Sequence, residues 1–189
     1  MQDHPDLLFV QSDKPYVFRD LGLYTPHISR LVFMLDYARR NTLESVRGLT
    51  QGQLDTQVMK QGNTVGTLLA HIAQVEQTYQ SVTFRGVRPI GNAAEPVLSE
   101  AGRKKVRGRE LSYYLNHLRA VRAETLAELR KRDDAWLHEE YAPWPNKVPM
   151  NTFFCWFHVL EDEINHGGQI KILRKEIESE WLSLTLPSP

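Results

Sequence analysis

Four long segments of this chain repeat apolar residues at helical spacing, and no stretch of comparable length alternates with period two. A 3.6-residue period buries one face of a helix, so the pattern restricts the chain to an all-α fold. The first helix is expected to open at Thr25-Pro26, a hydroxyl N-cap with proline at the first helical position, and to stop near Gly48. It turns Ile28, Leu31, Val32, Leu35, Leu43 and Val46 inward. The second starts at Asn63 or Thr64, ends at Gly86, and carries Val65, Leu68, Leu69, Ile72, Val75 and Tyr79 on one face. The third, roughly 111–131, places Tyr114, Leu118, Val121, Leu126 and Leu129 inside and ends in Arg130, Lys131 and Arg132, which suit the negative end of a helix dipole. The fourth, the most apolar, follows Pro149 with Asn151 or Thr152 as cap. It runs through Phe153, Phe154, Phe157, Leu160, Ile164, Ile170 and Leu173 toward Ile177. Four such helices most simply make an antiparallel four-helix bundle, whose core can hold a site built from facing side chains.

A length of 189 residues fits one domain spanning 1–189. Two irregular stretches interrupt the helices: 87–109, with Pro89 and Pro96, and 133–150, with the run APWPNKVP. Lysine plus arginine equals aspartate plus glutamate at 23 each, so no global basic field draws in nucleic acid. The basic run Arg103, Lys104, Lys105, Arg107 and Arg109 reads as a solvated loop before a helix. The longest apolar runs, 31–35 and 153–157, fall far short of the roughly 20 residues a membrane span requires. Asp3 and Asp6 stand where a secretory signal carries basic residues, so no such signal is expected. The single cysteine, Cys155, rules out an internal disulfide or a cysteine-rich metal knuckle and fits a reducing cytoplasm. Within FFCWF it reads as inert packing rather than a nucleophile.

The residues that can carry chemistry lie on the second and fourth helices. His158, Asp162 and His166 are spaced by four, which stacks them on one stripe flanked by Val159, Ile170 and Leu173. His71, three residues after Leu68 and four before Val75, lies on the inward stripe of the second helix. If the two helices face each other, His71, Asp162 and His166 converge as two imidazoles and a carboxylate. That set suits catalytic zinc and, equally, the facial arrangement of non-haem iron. The same residues admit a plainer reading, in which His71 is a hydrogen-bonded core histidine and Asp162 pairs with His166 one turn away.

The segments NTVGTLLAHIAQVE and HVLEDEINHGGQIKILRK resemble the DinB/YfiT-like superfamily of four-helix metalloproteins, in which one helix carries a histidine and a later one a ligand-xxx-His pair. The resemblance spans about 21–177 and implies an up-down-down-up bundle. It implies one divalent metal ion, zinc first, with nickel, iron or manganese as alternatives, held by His71, Asp162 and His166 with His158 in reserve. Many members have histidine where this chain has Asp162; a branch that includes mycothiol-dependent maleylpyruvate isomerases has a carboxylate there. By the same likeness Glu76 is an acceptor behind a ligand imidazole, and Gly167-Gly168 marks close helix packing beside the metal. The implied activity is metal-dependent transfer of a low-molecular-weight thiol, such as bacillithiol or mycothiol, to an electrophile. Its rivals are a hydrolase using metal-bound hydroxide and a non-catalytic, metal-braced binding protein. The implied partners are the small-molecule thiol and electrophile and a second copy in a homodimer, with neither nucleic acid nor membrane.

Overall fold

The computed structural model describes residues 16–60, 62–87, 96–142, 144 and 146–185, with side chains up to residue 179. Its elements run in the order α1 (Pro26–Val46), α2 (Gln51–Asp55), α3 (Val65–Arg85), α4 (Glu100–Val106), α5 (Leu111–Leu129), β1 (Glu140–Tyr141), β2 (Met150–Asn151) and α6 (Thr152–Thr185). A short 3-10 turn at Trp136–His138 precedes β1. The expectation of a mostly helical chain holds, with one small exception. β1 and β2 pair antiparallel, Glu140 opposite Asn151 and Tyr141 opposite Met150, and so pin the irregular stretch before α6 to the start of that helix.

Local chemistry sets the helix ends. Thr64 caps α3 by accepting from the Thr67 backbone N–H at 3.2 Å, and Gly86 closes it in the left-handed region at φ 64°. At α1 the structure corrects the expected cap. Thr25 has extended backbone but makes no capping bond with its own hydroxyl, which donates to Asp134 instead. The Asp134 carboxylate then accepts from the His27 N–H at 3.0 Å and the Ile28 N–H at 3.2 Å. A residue just beyond α5 thereby caps α1 and ties the two helices together. The basic run is also not a simple loop, since Arg103, Lys104 and Lys105 form the last turn of α4.

Two apolar clusters make the core. One gathers Val46, Leu54, Val65, Leu68, Leu69, Ile72, Tyr114, Leu118, Val121, Ile170, Leu173 and Ile177. The other gathers Ile28, Leu31, Val32, Leu35, Leu126, Leu129, Leu137, Cys155, Trp156 and Val159. Between them lies a layer of buried charge to which every long helix contributes: Arg39, with Asp36 beside it, on α1, Glu76 on α3, Arg122 on α5 and Glu163 on α6. Arg39 bonds Glu163 at 2.6 Å and Glu76 at 2.9 Å, and Arg122 bonds Glu76 at 2.7 Å and Glu163 at 3.2 Å. Asp36 adds a further carboxylate 3.8 Å from Arg122. This layer fixes helix register, because a buried charge displaced from its partners costs several kcal/mol.

The inward face of α6 agrees with the expected one at Leu160, Ile170, Leu173 and Ile177 and differs from it elsewhere. Phe153, Phe154, Phe157 and Ile164 are exposed, whereas Cys155, Trp156, Val159, Glu163, Ile170 and Leu173 are buried. The start of α6 is apolar all round, so its period selects no face; the anchoring of Glu163 to two arginines selects it. The glycine pair is also looser than expected. A Cβ on Gly168 would meet nothing within 4 Å, and one on Gly167 would meet only Thr42 Oγ1 at 3.3 Å. Among the described residues no helix is long and apolar enough to cross a membrane.

Candidate metal centre

α3 and α6 bring His71, Asp162 and His166 together, just on one side of the charged layer. His71 lies five residues before Glu76 and Asp162 one residue before Glu163, so the bonds that seat those glutamates also set the two ligand stripes against each other. His71 Nε2 stands 3.5 Å from Asp162 Oδ1, and His166 Nε2 stands 3.4 Å from the same oxygen. The imidazoles meet edge to face with centroids 4.8 Å apart. One donor atom from each of the three residues falls within 4.8 Å of the others, and all three side chains are half-buried.

These separations bear on whether a divalent ion fits. Contacts of 3.4 and 3.5 Å exceed the roughly 2.7–2.9 Å of a charge-assisted hydrogen bond. Two donors each about 2.0–2.1 Å from a tetrahedral ion stand about 3.3 Å apart, close to what is seen. Asp162 Oδ2 and His71 Nδ1 are buried and have no hydrogen-bond partner among the described residues. A buried carboxylate oxygen left in this state is costly unless something else compensates it. Two nitrogens and one carboxylate, one of whose oxygens is orphaned, make a donor set suited to zinc or another borderline divalent metal.

The electrostatics point the same way. Burial pushes the Asp162 carboxyl up, but the contacts with His166 and then His71 outweigh it and hold the group near 2. The contact with Asp162 raises His166 against the opposing effect of burial. Asp162 is therefore an anion at neutral pH, as a ligand must be. His166 Nδ1 lies 3.3 Å from Gln169 Oε1, an orienting contact that leaves Nε2 facing the cluster.

Two further sequence expectations are corrected. His158, the reserve ligand, is 41% exposed, pairs with Glu161 at 3.0 Å and lies against the rings of Tyr79 and Phe154, outside the cluster. Glu76 neither backs a ligand imidazole nor faces solvent. It is wholly buried, and both its oxygens are taken by Arg39, Arg122 and Thr125. Burial would raise its carboxyl; the Arg122 and Arg39 guanidinium groups and the bonds from Arg122 and Thr125 bring it down to about 2. Cys155 is buried as expected, with its thiol pushed up by burial and its sulfur 3.2 Å from the Tyr141 hydroxyl. Sequence reasoning passed over Gln169, although its place three residues after His166 puts it within one turn of that ring.

The family model described as Mycothiol-S-transferase matches residues 30–179, a span that contains all three converging side chains and the whole charged layer. The chain belongs to the mycothiol-S-transferase family. This family name denotes a transferase acting on a thiol, within the DinB/YfiT-like group. No curated protein matches the chain. Among solved structures, the mycothiol-S-transferase family chain resembles a crystal structure described as the conserved protein of a locus from Enterococcus faecalis. The likeness has a TM-score of 0.59 at 16% identity and covers 79% of this chain and 95% of that one. At that identity it speaks to the fold alone.

Proposed function

We propose that this member of the mycothiol-S-transferase family is a metal-dependent enzyme that joins a low-molecular-weight thiol to an electrophilic small molecule. The observation that carries the reading is the convergence of His71, Asp162 and His166 from two helices with an orphaned carboxylate oxygen among them. These three residues would hold one divalent ion, zinc first. Such an ion supplies the positive charge that favours thiolate over thiol near neutral pH. His71 and His166 would offer ring nitrogens to such an ion and Asp162 the single negative charge, while Gln169 keeps the His166 ring turned so that Nε2 faces the cluster. Leu68 and Ile72 near His71 in sequence, and Ile170 four residues after His166, belong to the buried apolar core, a setting that strengthens electrostatic contacts beside it.

The helix pairings support an up-down-down-up bundle beneath this site. Residue numbers rise together along α1 and α6, from Arg39–Glu163 to Ser45–Arg174, and along α3 and α5, from Gly66 beside Tyr114 to Gln80–Thr125. They run opposite along α3 and α6, from His71–His166 to Tyr79–His158. A cytoplasmic setting and pairing of two copies belong to the same reading. The lone, buried Cys155 supports the first, and the exposed Phe154, Phe157, Ile164 and Ile172 along α6 support the second.

The test is metal content by mass spectrometry on untagged protein, beside His71→Ala and His166→Ala, followed by a screen of mycothiol, bacillithiol and glutathione against monochlorobimane and epoxide electrophiles. One ion per chain in the wild type, lost in both variants with helicity kept, and a thioether product from one of the thiols are expected. A wild type that takes up none of zinc, nickel, iron or manganese would sink the reading. Ester or amide hydrolysis without any thioether product would replace transfer with hydrolysis.

A further inference from the structure

A cleft of about 400 Å³ opens at the first turn of α3, one helical turn before His71, and none of His71, Asp162 and His166 lines it. Its walls come from the chain between α2 and α3, the first turn of α3, and α4. Lys60, Arg103, Lys104 and Arg107 bring four cations to it, while Thr64 and Thr67 bring hydroxyls. One carboxylate faces them, that of Glu100, and Lys104 engages it at 2.7 Å. The same carboxylate also feels the Arg103 guanidinium, so one negative charge stands against four positive ones, and Lys60 and Arg107 have no acidic partner in the cleft. Besides Lys104, the cleft holds three cations.

Two of those three are held in place. Arg103 spends one N–H on the Leu98 carbonyl at 2.6 Å, and Arg107 spends one on the Asp55 carbonyl at 2.9 Å. A guanidinium has five N–H donors, so each anchored arginine keeps most of its fork available. The Lys60 ammonium has no partner among the described residues. Like charges gathered around one concavity repel each other, and a bound anion relieves that repulsion. The volume lies within the range of small-molecule sites, and paired arginine forks match the planar oxygens of a carboxylate or a phosphate. The first turn of the 21-residue α3 adds the positive end of its dipole.

We propose that this cleft binds the anionic group, carboxylate or phosphate, of a small molecule that reaches the neighbouring His71–Asp162–His166 cluster. Thr67 and His71 are four residues apart on α3, one turn or about 6 Å along its axis, so one small molecule spans both. The span to the cluster rests on the proposed metal-dependent transfer; anion binding stands without it.

The experiment is isothermal titration calorimetry on the full-length protein with inorganic phosphate and, separately, with succinate. The variants are Lys60→Glu, Arg103→Gln and His71→Ala, with helicity followed by circular dichroism. Saturable binding of at least one of the two anions is expected, weakened tenfold or more in Lys60→Glu and in Arg103→Gln and unchanged in His71→Ala. The stronger of the two anions identifies the headgroup chemistry. If Arg103→Gln loses helicity, Lys60→Glu decides alone, because the Lys60 ammonium supports no other described side chain. Absence of saturable binding overturns the proposal, as does binding that Lys60→Glu leaves intact. Binding of single-stranded DNA that tightens with strand length, with neither small anion bound, also overturns it in favour of a nucleic-acid surface. Loss of metal in His71→Ala with anion binding retained separates the two sites, so failure of the metal reading and failure of this one give different results.

Discussion

Replacing Glu76 with glutamine tests whether the charged layer or the apolar clusters hold the four helices in register. In the folded protein its carboxylate accepts four bonds, of 2.6 to 3.1 Å, from Arg39, Arg122 and Thr125, and its pKa falls from 4.5 to about 2. That difference, at about 1.4 kcal/mol per unit, corresponds to about 3 kcal/mol of stability at neutral pH. Removing one member of a buried ion pair gives a similar figure, about 3 to 5 kcal/mol, since the arginines left behind stay buried. Glu76→Gln should therefore lose about 3 kcal/mol in urea unfolding at pH 7, or roughly 6 to 12 °C in Tm for a chain of this size. The sign of the pH dependence follows from the depressed folded pKa. The contribution is complete above the unfolded value near 4.5 and drains as pH falls toward 2. At pH 3 about 2 kcal/mol of it is gone, so the gap between wild type and variant narrows to about 1 kcal/mol. A gap below 1 kcal/mol at pH 7, or one equally wide at pH 3, would refute the reasoning.

Other consequences can be checked on the same protein. Gly168→Ala should stabilise by up to about 1 kcal/mol in thermal unfolding, because its Cβ meets nothing within 4 Å and helix propensity improves; a loss would mean that the open space is filled in solution. Gly66→Ala should cost about 1 to 3 kcal/mol, since its Cβ would sit 2.6 Å from Tyr114 Oη and 2.9 Å from Cζ, displacing a hydroxyl that bonds the Val106 carbonyl. Asp134→Ala should cost about 1 to 2 kcal/mol by uncapping α1, read as faster amide exchange at His27 and Ile28; exchange that stays slow would return the capping role to Thr25. Chelation should leave far-ultraviolet circular dichroism unchanged, while zinc at about a hundred times its Kd should add about 2.7 kcal/mol of apparent stability. A melting curve indifferent to zinc, nickel, iron and manganese alike would count against the site.

The helices were legible in sequence because three of the four long segments are apolar on one side only. Every residue assigned inward on α1 and α5 is buried, and on α3 Val75 and His71 are half-buried while the rest are buried. α6 resisted because Phe153, Phe154 and Phe157 surround its first turns with apolar surface, leaving periodicity without a contrast to read. The pair β1 and β2 and the short helices α2 and α4 were missed because two to seven residues carry too little periodicity to register. The three candidate ligands were named from their spacing and from resemblance, and the structure places them together. Glu76 was misassigned because its partners are remote in sequence, 37 residues away at Arg39 and 46 at Arg122. A signal was present all the same. Arg39 falls four residues from both Leu35 and Leu43, Arg122 four from both Leu118 and Leu126, Glu76 four after Ile72, and Glu163 four after Val159. Four charges on four inward stripes, two of each sign, can be buried only if they meet.

That layer also explains how the proposed metal site could stay open in so apolar a setting. An ion site with unfilled positions needs ligands held apart at the right spacing before the ion arrives, yet two imidazoles and a carboxylate on an apolar face would ordinarily close on one another. Here Asp162 and His71 ride on helices whose relative position is already fixed through Glu163 and Glu76, each bonded to both arginines. The contacts of 3.4 and 3.5 Å within the cluster are what remains when the backbone is set by stronger bonds one residue and five residues away. Neutralising the layer without unfolding the protein should therefore let the cluster collapse toward ordinary hydrogen-bond distance. Metal affinity should then fall although no ligand has been touched. In Glu76→Gln, a fall in zinc affinity that exceeds any loss of helicity would place the origin of the open site in the charged layer, and unchanged affinity would place it in the packing around His71 itself.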